Sequence, residues 1–174
     1  MTEVINNNRD EAINYYKTVK EEVLYGFPLK WGNIATTIRT KKGHCGAKAE
    51  LLAHKLGLHK YKYRYVVGYN VGMFYKPIMP KFLDLHFWIE VLLNDEWLTL
   101  DPSPDSVAAG ILGDTIPGTH LGTPSYTRVL DGIPPWYKDV YNNWSILPYK
   151  IIINLILMVE RWKAKRINGK KSRR

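Results

Sequence analysis

Apolar positions along the chain follow two periods, and the switch between them predicts the order of elements. Between Asp10 and Leu24, Ile13, Tyr16, Val19 and Val23 recur at helical spacing with Lys and Glu between them, which predicts an amphipathic helix. Tyr25-Gly26-Phe27-Pro28 ends it, because glycine loosens the backbone and proline lacks the amide hydrogen a helix needs. Trp31 to Thr40 predicts a short helix or turn. Gly43-His44-Cys45-Gly46 then opens AKAELLAHKLGL, where Ala49, Leu52, Ala53 and Leu56 share one helical face and Gly57 suits the C-terminal cap. Cys45 therefore falls at the first turn of a helix buried along one side.

The period then drops to two. Tyr61 to Tyr69 alternates and is rich in aromatic and β-branched residues, as a strand requires. His86 to Leu93 predicts a second strand, with His86, Trp88 and Glu90 on one face and Phe87, Ile89 and Val91 on the other. Asn94-Asp95-Glu96 predicts a turn and Trp97 to Leu100 a third strand, forming an antiparallel hairpin. Val107 to Thr127 has Gly, Thr and Pro without a period and predicts a long loop with the character of a lid. Ile133 to Asn143 reads as an aromatic turn region, and Ile151 to Lys165 as a helix with an apolar start and a basic end. No repeat or linker divides the chain, so one domain over residues 1–174 is expected. Its catalytic core would cover about 30–130, and its C-terminal helix and basic tail about 146–174.

Composition adds three constraints. The 174 residues include one cysteine, which excludes an internal disulfide and a cysteine metal cage. The start, MTEVINNNRDEA, lacks the basic and apolar run of a secretory leader, so a cytoplasmic location with a reduced thiol is expected. The net charge is +9, yet eight Lys or Arg and no acid lie between Arg161 and Arg174, leaving the rest nearly balanced. Ile146 to Val159 is apolar but short and interrupted by Lys150 and Asn154, so it does not predict a membrane span. Trp144 and Trp162 bracket it, as in helices that lie at a membrane interface. The leading expectation for this end is a core helix with a solvated tail. The alternative is weak, peripheral contact with an anionic membrane. No nucleic-acid motif accompanies the charge, and oligomeric state is open.

Three residues can carry chemistry together. Backbone N–H groups at a helix start favour a thiolate at Cys45 and can hold an oxyanion. His86, 41 residues on, titrates near neutrality and can accept the thiol proton. Asp101, 15 residues further in Leu100-Asp101-Pro102-Ser103, ends the partner strand. Hairpin pairing would set it beside His86, where a carboxylate fixes the imidazole tautomer and supports its cationic form.

Gly43-His44-Cys45-Gly46-Ala47-Lys48-Ala49-Glu50-Leu51-Leu52 resembles the nucleophile helix of the transglutaminase-like superfamily. Val67-Gly68-Tyr69 is similar to its next strand. His86-Phe87-Trp88-Ile89-Glu90-Val91, Trp97 and Leu100-Asp101-Pro102-Ser103 resemble its histidine and aspartate strands in order and spacing. The likeness runs from about Thr40 to Pro104. It implies an α+β, papain-like core with the cysteine helix on an antiparallel sheet, and a Cys-His-Asp triad of Cys45, His86 and Asp101. It also implies attack on an amide carbonyl through a thioester. The chain departs from the large animal crosslinking enzymes, with no acidic loop suited to calcium.

Residues around this core are weaker candidates. Trp31, Asn33 and Thr37 could supply a second oxyanion donor. His44 points away from its neighbour on a helix start and suits a supporting or substrate-binding role better than that of base. Tyr69 and Trp88 fit either groove walls or core. Asp84 and Asp105 compete with Asp101, while His54 and His59 suit solvent and His120 the long loop. The histidine spacing fits no zinc site, and neither metal nor cofactor is expected. The reading is hydrolysis of a peptide, isopeptide or related amide in a peptide or protein substrate. Acyl transfer to an amine and a non-catalytic peptide-binding module are the alternatives.

Overall fold

The computed structural model describes residues 6–31, 33–70, 85–112, 115–119 and 124–171. Helix α1, Arg9–Glu22, begins where the Asn8 side chain accepts the Glu11 N–H, and buries Ala12, Tyr16 and Val19 at helical spacing. Strand β1 (Leu24–Tyr25) leads to α2 (Ile34–Thr40), capped by Asn33. Strand β2 (Lys42–Gly43) pairs in parallel with β1 and delivers the chain to α3, Cys45–Leu58. Helix α3 packs on α1 and across β3 and β4. It runs past Gly57 to Leu58, so the expected glycine cap is not used. His59 caps it and Lys60 takes the positive φ of 60°.

The main sheet has the order β5-β4-β3-β6 and is antiparallel throughout. Strand β3 is Tyr63–Asn70, β4 Leu85–Leu93 and β5 Glu96–Leu100. The hairpin turn is two residues, Asn94 and Asp95, both at positive φ, with Leu93 paired to Glu96. Turns of this kind match the twist of the strands they join. Strand β4 lies between two neighbours and both its faces are buried, with Phe87 and Trp88 almost fully enclosed. Phe87, Ile89 and Val91 join Ala49, Leu52 and Leu56 of α3 in one continuous core.

The region read as one long loop over Val107 to Thr127 instead holds two elements. Helix α4, Ser106–Leu112, starts where Asp105 accepts the Val107 and Ala108 N–H groups. Strand β6, Pro124–Leu130, adds to the free side of β3. Both are seven residues long, and β6 is an edge strand exposing Thr127, Arg128 and Val129 in a row, so neither shows a period. Ile133 to Asn143 is likewise not a turn region: α5 spans Pro135–Asn142 and buries Tyr137 and Tyr141. Pro135 stands at the first helical position, where its missing N–H costs nothing. Helix α6, Leu147–Lys171, closes the described chain and packs on α4. The architecture is thus α+β, with N-terminal helices on an antiparallel sheet and a C-terminal helix.

Candidate active site

The site lies where the start of α3 meets the start of β4. Cys45 is the first residue of α3, and its Sγ is 3.9 Å from the carbonyl oxygen of Leu85, the first residue of β4. The next residue, His86, turns its Nε2 onto Asp101 Oδ2 at 2.6 Å. The ladder ends at the Ile89–Leu100 pair, so Asp101 leaves β5 one step beyond it and reaches back diagonally to His86. The other carboxylate oxygen accepts the Ser103 N–H at 3.0 Å. Thr115 Oγ1 donates to the Asp101 and Ser103 carbonyls, tying this corner to the Tyr16 hydroxyl and the Lys20 ammonium, both of which donate to the Thr115 carbonyl. Cys45, His86 and Asp101 are 6%, 3% and 0% exposed.

Burial alone would strip the proton from His86. The adjoining Asp101 charge and hydrogen bond, with a smaller contribution from Cys45, overcome it and push the imidazole up to about 10. Nδ1, the nitrogen that Asp101 does not engage, is buried and makes no hydrogen bond. Cys45 Sγ faces the Leu85 carbonyl and lies near enough to the ring to help hold its proton. Trp88 stacks on the same ring at a centroid distance of 5.8 Å.

The remaining candidates are distributed differently. His44 precedes the helix and its Nδ1 accepts the Gly46 N–H at 3.2 Å. Its ring is enclosed by Phe27, Trp31 and Tyr141, and burial followed by the nearby Lys150 charge lowers its pKa to about 3. Trp31 lies so close to α3 that a Cβ on Gly46 would run into its ring, so a side chain there would have to displace the indole. Its indole N–H is committed to Glu50 at 2.9 Å and its backbone N–H to Asn142. Asn33 caps α2 at the surface, and Thr37 is buried against Gly43. Trp88 is buried among core elements and is not on an open groove wall. The Tyr69 side chain, Asp84 and His120 lie outside the described residues. Asp105 is drawn elsewhere, binding Arg161 at 2.6 Å and the Tyr25 N–H. His54 and His59 are exposed.

Several neighbours carried no signal in the sequence. Tyr25, Tyr137 and Tyr141 stand close enough to Cys45 that its sulfur adds to burial, and for Tyr141 to burial and Tyr137, in raising their phenols well above the usual range. Lys48, one turn past Cys45, is fully buried and donates to the Lys20 and Val23 carbonyls at the end of α1. Burial lowers it to about 7. The alternation of apolar with polar residues in α3 puts Lys48 on no exposed stripe, but only the structure supplies the carbonyls it caps.

A cleft of about 380 Å³ opens beside Leu85 and Phe87 and is lined further by Val67, Arg128, Leu130 and Trp136. It begins at the residue the thiol touches. Among the described residues no three His, Cys, Asp or Glu side chains cluster as a metal would need.

The family model described as the transglutaminase-like superfamily matches residues 1–102, a span that includes Cys45, His86 and Asp101. The chain belongs to the transglutaminase-like superfamily. The match extends well upstream of the likeness read from motifs and takes in α1 and α2. A solved structure from Cytophaga hutchinsonii, assigned provisionally as a cysteine protease, aligns with a TM-score of 0.45 at 17% identity. The alignment covers 72% of this chain and 45% of that one, so this chain spans under half the length of that relative. No curated protein matches the sequence.

Proposed function

We propose that the protein is a cysteine-dependent amidohydrolase in which Cys45 is the nucleophile, His86 the base and Asp101 the group that orients it. The observation that carries this reading is the buried 2.6 Å His86–Asp101 hydrogen bond set one residue from the carbonyl that Cys45 touches. With the Cys45 proton resting on His86 Nδ1 and Asp101 holding Nε2, an imidazolium stands beside a thiolate at the start of α3, the state that the raised pKa of His86 favours. The thiolate attacks the amide carbonyl, and the Cys45 backbone N–H stands at the helix start where the oxyanion forms. His86 returns its proton to the departing amine, leaving a thioester. Water deprotonated by His86 then attacks the thioester carbonyl, releases the acid and restores the thiol. The apolar cleft beside Leu85 and Phe87 accommodates the acyl side of a peptide or protein substrate, with Arg128 at its wall.

The test uses the full chain, a fluorogenic peptide-amide library and intact mass. The expected result is amide cleavage that vanishes in Cys45→Ala, with an acyl adduct on Cys45 when turnover is quenched in acid. A labelled primary amine is supplied in parallel. Incorporation of the amine in place of water would change the assignment from hydrolysis to acyl transfer. Absence of an adduct, together with iodoacetamide labelling no faster than in His86→Ala, would leave Cys45 a structural residue.

A further inference from the structure

Helix α6 carries two apolar stripes. One, with Ile153 and Leu157, is buried against the body of the protein, where Lys150 donates to the Leu29 and Tyr141 carbonyls. The other, Ile151, Ile152, Leu155, Met158, Val159 and Trp162, recurs at three- and four-residue steps on the outside and is 44–58% exposed. A helix that is apolar all round is ordinarily covered on both sides. Leu24 of β1 extends the exposed stripe, and a groove of about 560 Å³ lies between Leu24, Lys42 and the α6 residues Leu155, Met158 and Trp162. This is a contiguous feature, unlike the scattered surface leucines normal for proteins.

The chemistry around the stripe selects its occupant. Lys42, Arg161 and Lys165 line the groove and no carboxylate does; Arg161 is already paired with Asp105, so Lys42 and Lys165 are the cations the groove offers a ligand. Arg166 sits over the Trp162 ring, 4.1 Å from its centroid. The sequence continues with Lys170, Lys171, Arg173 and Arg174 and no acid. Exposed aliphatic residues, an interfacial tryptophan and cations at the same end of one helix fit a surface that is apolar within and anionic outside. A second copy of this face would bring apolar residues but no carboxylate to pair with Lys42 and Lys165. The described helices include none long and apolar enough to cross a membrane.

We propose that the outer face of α6, with Leu24 and Lys42, docks the protein on an anionic lipid bilayer. The proposal does not depend on the catalytic one: no residue lining this groove lines the cleft beside Leu85.

The experiment is co-sedimentation of the full chain with phosphatidylcholine vesicles, and with vesicles in which about a third of the lipid is phosphatidylserine. Binding only to the anionic vesicles, weakened at least about tenfold by Leu155→Glu with Met158→Glu and reversed by high salt, is the expected result. Both substituted residues are half exposed, and circular dichroism checks the fold. Quenching of tryptophan fluorescence by brominated lipid, reduced in Trp162→Phe, would locate the stripe in the bilayer. Cys45→Ala should bind as the parent does, which separates this result from the fate of the catalytic reading. No binding to anionic vesicles overturns the proposal. So does binding that the double substitution leaves intact, since the tail would then act alone. A lipid-free dimer dissolved by the same substitutions assigns the face to a second copy and overturns it too.

Discussion

His44 and His86 are both buried, and both stand close to the same cysteine, yet their surroundings drive them in opposite directions. His44 is next to Cys45 in the chain and is enclosed by Phe27, Trp31 and Tyr141, which push it down to about 3 by excluding water. His86 is distant in the chain and equally dry, but it faces Asp101 and is held up to about 10. The desolvation is alike in kind. The carboxylate is the difference, and it decides which imidazole can carry a charge at neutral pH. Adjacency along the chain is therefore a poor guide to the partner of a nucleophile, and a hairpin that returns a carboxylate to a strand end is a better one.

The sharpest way to break this comparison is to remove each ring in turn. His86→Ala is expected to lower kcat/KM for amide cleavage by about 10²–10⁴-fold, the usual worth of a positioned acid–base. His44→Phe should change it by no more than about fivefold, because the ring caps α3 and does not reach substrate. Stopped-flow hydrolysis of the best library peptide gives both numbers. Equal losses would mean that His44 takes part in the chemistry and that its aromatic enclosure opens during turnover.

Asp101→Asn asks whether the carboxylate makes the difference between the two rings. It keeps the shape while removing the charge, and a loss of about 10–10³-fold is expected, smaller than for His86→Ala because the base survives. The imidazole should then titrate far below about 10, which ¹⁵N chemical shifts of the ring report directly. Stability carries the same signature. An unfolded imidazole releases its proton near 6.5 and the folded His86 only near 10, so its stabilising contribution is complete below about pH 6.5 and fades as pH rises toward about 10. The Asp101→Asn chain should lack that alkaline decline in melting temperature relative to its parent.

Much of this was legible before any coordinates. Helix periodicity placed Cys45 at the start of α3, and strand alternation with a polar turn placed His86 and Asp101 at one end of a hairpin. What escaped notice was whatever depends on distant chain meeting distant chain. Strand β6 has no alternation because it is an exposed edge that only its pairing with β3 defines. Helix α5, read as a turn region, opens on a proline that serves as its first residue. Lys20, Lys48 and Lys150 are each buried with the ammonium on backbone carbonyls supplied by other segments, partners that the sequence does not reveal. Lys42 and Leu24 join the outer face of α6 from far upstream. Trp31 was anticipated at the oxyanion, but its indole and backbone N–H groups donate to Glu50 and Asn142, while the Asn33 side-chain oxygen accepts from Thr36 as the cap of α2.

The packing that isolates His44 can be tested at Gly46. An alanine there would run its methyl into the Trp31 ring, and the indole cannot withdraw without breaking its bond to Glu50. Overpacking of this sort costs about 1–3 kcal/mol, to be read from urea midpoints at an unchanged slope. An effect near zero would show that Trp31 has room to move, and that the enclosure of His44 is looser than its ring distances imply.

The smallest effect concerns the enclosure itself. At pH 7, His44→Phe gives up the cap on the Gly46 N–H but also removes Nε2, which is buried without a partner, so the change should stay within about 1 kcal/mol. In acid the comparison turns in favour of phenylalanine. Unfolded histidine takes a proton near 6.5, while folded His44 resists until about 3, so the parent loses stability as pH falls through that window. Phenylalanine has no proton to gain and loses none of its stability by this route. Carboxylates that titrate in the same range do so in both proteins and cancel in the difference. The two curves of melting temperature against pH should therefore converge and then cross as pH drops. Parallel curves would mean that His44 is protonated within the fold, with Phe27, Trp31 and Tyr141 holding a cation, and the contrast with His86 would then be one of partners rather than of charge.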